Sequence, residues 1–101
     1  MTPVEAWLKQ FGADVTVMNE TLQKVDDPIV ELKKVTTRLV VVVPSEHNWP
    51  PNLAPNKNPL HKRVYDTETL ARDLEEAGFT YILRFLSAGQ WSWITGECVK
   101  K

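Results

Sequence analysis

Val4, Trp7, Leu8 and Phe11 fall at i, i+3, i+4 and i+7, the spacing of one apolar helix face. Thr2 and Glu5 form a capping box around Pro3, whose missing amide costs nothing at a first helical position. A helix is therefore predicted over 3–11, with Gly12 as its stop. Val15, Met18, Leu22 and Val25 keep helical spacing behind Asp14 and predict a second helix over 15–25. Asp26-Asp27-Pro28 breaks it and starts a third over 28–35, with Asp27 as cap and Ile29, Leu32 and Val35 inward.

The pattern then changes period. Thr36 to Val43 ends in five consecutive apolar residues, four of them valine, which suits a strand covered on both faces. Pro44 closes it. Five of the seven prolines (44, 50, 51, 55 and 59) and four asparagines (48, 52, 56 and 58) follow, so 44–61 reads as a long extended loop. Loops of that length in a small domain are usually functional or disordered. A short strand at 62–65 is expected next. Asp66 or Thr67 then caps a helix over 67–77, with Leu70, Leu74 and Ala77 inward and Gly78 at its end.

Phe79 to Leu86 and Trp91 to Val99 read as a hairpin around Ser87-Ala88-Gly89-Gln90. With Ala88 and Gly89 central in the turn, Leu86 faces Trp91, Arg84 faces Trp93, Ile82 faces Thr95 and Thr80 faces Glu97. Phe79, Tyr81, Leu83 and Phe85 then mark the other face as core, under the helix 67–77. The face bearing Arg84, Trp91, Trp93 and Leu86 admits two readings. Either the N-terminal helix covers it and the tryptophans are core, or it is open and has the composition of a binding hot spot.

These elements specify an α+β fold: a small antiparallel sheet with a C-terminal β-hairpin, packed on one helix, with N-terminal helices and a long Pro/Asn-rich loop. At 101 residues the chain holds one core, so 1–101 is read as a single domain. Twelve Lys and Arg against thirteen Asp and Glu leave a net charge of −1, against a strongly basic nucleic-acid binder. The longest apolar run has five residues, far short of a membrane span. No basic, apolar and small-residue series follows Met1, and one cysteine excludes a disulfide framework, so a reducing cytoplasm is the expected address.

Candidate chemistry is sparse. His47 beside Glu46 and His61 beside Lys62 bracket the loop, but without the spacing of a metal motif, and no metal or cofactor is expected. Cys98, on the core face of a strand next to Glu97, lacks the cationic setting of a catalytic thiolate. Ser45, Glu46 and His47 are sequence neighbours and cannot form a triad. No phosphate-cradling glycine motif occurs. No catalytic residue is expected, and the chain reads as a non-enzyme.

The expected function is protein binding by an accessory or inhibitory protein that modulates a larger partner, a role suited to phage or mobile-element proteins of this size. Its expected contact residues are Trp49 on the proline-stiffened loop, Arg84, Trp91 and Trp93 on the hairpin, and Tyr65 with Arg63 behind them. Trp49 could equally fold back on its own domain as a latch. An alternative is a single-stranded nucleic-acid module stacking bases on Tyr65, Trp91 and Trp93 with nearby Lys and Arg. Another is a homo-oligomerising structural protein that buries the tryptophan face against a second copy. A monomer or small homo-oligomer is expected.

Overall fold

The computed structural model describes residues 3–45, 63–89 and 91–101. Its element order is α1 (Pro3–Leu8), β1 (Thr16–Asn19), α2 (Pro28–Lys33), β2 (Arg38–Pro44), α3 (Thr67–Glu76), β3 (Phe79–Ala88) and β4 (Trp91–Lys100). The four strands form one sheet in the order β1-β2-β4-β3. The architecture is α+β, with the C-terminal hairpin packed against helices.

The principal difference from the sequence reading lies at 15–25. A strand, β1, stands where a helix was predicted, and it pairs parallel with β2, which makes the sheet mixed. Val15, Thr16 and Val17 are a β-branched run that loses side-chain freedom in a helix and packs well on a pleated surface. Asp14 caps nothing in this arrangement; its carboxylate pairs with Arg38 at 3.2 Å. Glu20 turns the chain out of the strand at φ +54, while its amide extends the ladder to the Val42 carbonyl at 2.7 Å. The apolar residues that suggested a helix divide between the strand and the turn after it. Met18 packs on the core and Leu22 is fully buried within it.

The segment 63–66 is irregular, so the strand expected at 62–65 does not form in its described part. α2 is capped by Asp27, whose carboxylate accepts from the amides of Ile29 and Val30. α3 opens on a reciprocal box. The Thr69 amide donates to Asp66 Oδ1 at 2.8 Å and the Asp66 amide to Thr69 Oγ1 at 3.0 Å. Gly78 leaves α3 at φ +91, a left-handed conformation that favours glycine.

One sheet face carries the main core. Leu39, Val41, Val43, Phe79, Ile94 and Cys98 are buried there beneath Leu32 of α2, Leu70 and Leu74 of α3, and Leu22. Gly96 lies between Val41 and Leu83. A Cβ at that position would stand 2.8 Å from Val41 Cγ1 and 3.1 Å from Leu83 Cδ2, so the close approach of β2, β4 and β3 side chains requires a glycine. β2 is buried on both sides, as the valine run predicts: Val40 and Val42 are closed off on the second face as well.

The hairpin register differs by two from the sequence reading. Ala88 faces Trp91, Leu86 faces Trp93, Arg84 faces Thr95 and Ile82 faces Glu97. The connection is Gly89-Gln90, with Gly89 at φ +60, as short hairpin loops demand of their first central residue. A shift of two preserves the side-chain period, so every residue keeps its expected face, but Phe85, expected in the core beside Phe79, is 59% exposed.

Candidate binding face

The second face of the sheet is built in rows. Val17, Val40, Glu97 and Ile82 form one row across the four strands, Asn19, Val42, Thr95 and Arg84 the next. Pro44, Trp93 and Leu86 follow, and Trp91 with Ala88 ends the hairpin. Cover over these rows is uneven. Val40, Val42 and Thr95 are buried, whereas Ile82 on the outer strand is 57% exposed. α1 meets β3, and Phe11 and Val15 join Val40, Ile82 and Val99 around a concavity of about 220 Å³. Trp7 and Phe11 pack edge to face, with ring centroids 4.9 Å apart. The two readings of this face therefore divide it between them. Its middle is buried and its hairpin end only partly so: Trp91, Trp93 and Leu86 are half-buried and Arg84 is exposed.

Arg84 sits opposite Thr95, not opposite the Trp93 that the sequence pattern predicts. It lies diagonally between Trp93 and Glu97, and its Nε stands 4.0 Å from Glu97 Oε2 with 65% of the side chain exposed. A pair that open contributes little to stability, because water screens it. The guanidinium remains free to exchange Glu97 for another acceptor.

Tyr65 and Arg63 are elsewhere. The Tyr65 ring is buried in the main core and its hydroxyl donates to Asp73 Oδ2 at 2.6 Å. Burial, then the hydrogen bond to Asp73 and the charge of that carboxylate, push the phenol well above its ordinary range, against a smaller opposing pull from Arg63. Arg63 donates to the carbonyls of Leu22 and Asp26, tying the entrance of α3 to the turn after β1. Neither side chain reaches the second face. They hold the fold, because their polar ends are committed to internal acceptors. Trp49, Glu46, His47 and His61 lie outside the described residues.

Other chemistry is limited. Burial, with the charge of Glu97 added, pushes the Cys98 thiol up to about 12, so it stays protonated near neutrality. Lys100, one of the basic residues at the chain end, donates to the Ala77 carbonyl at 2.8 Å and lies 4.7 Å over the Phe79 ring. Among the described residues no group of three or more His, Cys, Asp and Glu could hold a metal ion. No helix among them is long and apolar enough to cross a membrane. Sequence reasoning missed the concavity beside α1, since its lining brings Phe11 and Val15, in the chain between α1 and β1, against residues of β2, β3 and β4. Compared with models of known families, with curated proteins and with solved structures, the chain matches none.

Proposed function

We propose that this chain is a non-enzymatic binding protein that docks a protein partner on the hairpin end of its second sheet face, as an accessory or inhibitory module. The observation that carries this reading is the partial exposure of Trp91 and Trp93 on a paired hairpin, beside Leu86 and the solvent-exposed Arg84. Tryptophan and arginine contribute disproportionately to protein interfaces. A wide apolar body with a polar tip loses little freedom when it is ordered, and a planar guanidinium makes paired contacts. β4 is an inner strand, bonded on both sides, so its indoles stand on a rigid base.

The nucleic-acid alternative is weakened by its own residues. Tyr65 cannot stack on a base while buried, and Arg63 and Lys100 donate to internal carbonyls. With a net charge of −1, counterion release has little to act on.

The test compares what immobilised wild-type chain, Trp93→Ala and Arg84→Glu retain from a cell extract, and whether they hold a labelled single-stranded oligonucleotide. A protein retained through high salt by wild type and weakened about 30-fold or more by Trp93→Ala is the expected result, the scale of a hot-spot residue. Equal retention by all three, or oligonucleotide binding that collapses with salt, contradicts the proposal.

A further inference from the structure

Among the described strands β3 is the outer one, and its edge is long. The Lys100 amide donates to the Thr37 carbonyl and the Lys101 amide to that of Gly78. Because both groups of one residue point to the same side of an antiparallel strand, Thr80, Ile82, Arg84, Leu86 and Ala88 direct their backbone toward β4. The amides and carbonyls of Phe79, Tyr81, Leu83, Phe85 and Ser87 therefore point outward, and among the described residues no backbone bond meets them.

Sheet edges are normally blunted by shortness, proline, lysine or a bulge. The opposite edge, β1, has four residues. β3 has ten, with neither proline nor lysine, and its register to β4 is unbroken throughout. Arg84 is its single charged residue, and it exposes apolar side chains on both faces. Phe85 is 59% exposed on the face of the main core, and Ile82 is exposed on the second face.

We infer that two copies of this chain pair β3 to β3 in antiparallel fashion about a two-fold axis at Leu83, closing both edges into one eight-stranded sheet. The order Tyr81-Ile82-Leu83-Arg84-Phe85 is nearly self-complementary about that point. Leu83 meets its mate, Tyr81 meets Phe85 of the second copy, and Ile82 meets the stem of Arg84 of the second copy. The neighbouring registers are poorer. An axis at Arg84 sets two guanidinium groups opposite each other, and an axis at Ile82 sets the exposed Phe85 against Phe79, which is already buried. Charge also fits. Glu97 shares the row of Ile82, so each Arg84 lies between its own Glu97 and that of the other copy. This inference does not depend on Trp91 and Trp93, which lie on β4 away from the paired edge, although Arg84 takes part in both readings.

Analytical ultracentrifugation of the intact chain, from micromolar to near-millimolar, tests the association. The expected result is a concentration-dependent species of twice the chain mass that Phe85→Lys abolishes, with unchanged circular dichroism. Independently, oxidised Leu83→Cys is expected to form an intermolecular disulfide, since its Cα would lie about 5.5 Å from its mate, inside the range of about 4.4–6.8 Å for such bonds. Ser87→Cys would lie about 27 Å from its own, at about 3.4 Å per residue, and is not expected to form one. A wild-type chain that stays monomeric overturns the inference. So does a dimer that survives Phe85→Lys, or one that cross-links through Ser87→Cys and not Leu83→Cys. An edge that instead takes a strand from another protein appears as that monomer.

Discussion

From about pH 9 to about pH 12 the free energy of unfolding is expected to fall steeply. Two buried acids keep their protons in the folded protein and lose them in the unfolded chain. Cys98 is held up to about 12 by burial, reinforced by Glu97. Tyr65 is raised further, first by burial and then by its hydrogen bond to Asp73. An unfolded thiol releases its proton at about pH 8.5 and an unfolded phenol at about pH 10. Between those values and the folded ones the unfolded state binds fewer protons than the native state. Stability therefore decreases with rising pH, by about 1.4 kcal/mol per unit for each group within its window. The thiol acts from about pH 9 to about 12, and the phenol joins above about pH 10. Urea unfolding midpoints measured from neutral pH to pH 11 should fall progressively, and Cys98→Ala and Tyr65→Phe should each flatten the decline. A profile that is flat in wild type, or equally steep in both variants, contradicts the assignment.

Phe79→Ala is expected to lower stability by about 3–5 kcal/mol, the usual cost of emptying a buried aromatic site. Phe79 is fully buried where the end of α3 meets the first residue of β3, and its ring also lies under Lys100 Nζ at 4.7 Å. Removing the ring opens a cavity between layers that are fixed by the sheet ladder and by the α3 cap, so neither can collapse far. Denaturant unfolding of the two proteins measures it as a lower midpoint with little change in slope. A loss below about 1 kcal/mol, the range of surface substitutions, would mean that Phe79 is not the core residue described.

The parts of this fold that could be read from the chain are those whose signals are local. α3 carries its cap at Asp66, its apolar stripe at Leu70 and Leu74, and its stop at Gly78, all within thirteen residues. The hairpin carries a glycine turn between two alternating runs. β1 could not be read in the same way, because Val15, Met18, Leu22 and Val25 match helical spacing by coincidence. The strand is decided by pairing with β2, more than twenty positions away. The candidate site divides along the same line. Trp91, Trp93 and Arg84 share a face because strand alternation is local, and a register error of two cannot change it. Tyr65 and Arg63 were drawn to that surface by composition alone, and their actual partners, Asp73, Leu22 and Asp26, follow from tertiary packing. Their short aromatic-and-basic sequence has no feature that separates a core tyrosine from an exposed one.

The central claim is that the hairpin end of the second face is open to a partner, and the accessibility of its indoles tests it most directly. Iodide and acrylamide quenching of the native protein and of four single Trp→Phe variants assigns each indole in turn. The account predicts that Trp91 and Trp93 each contribute to the quenchable part of the native signal, and that both indoles become shielded when a partner binds. If those two indoles are as protected in the free protein as buried core residues, the face is closed and the binding role assigned to it is wrong.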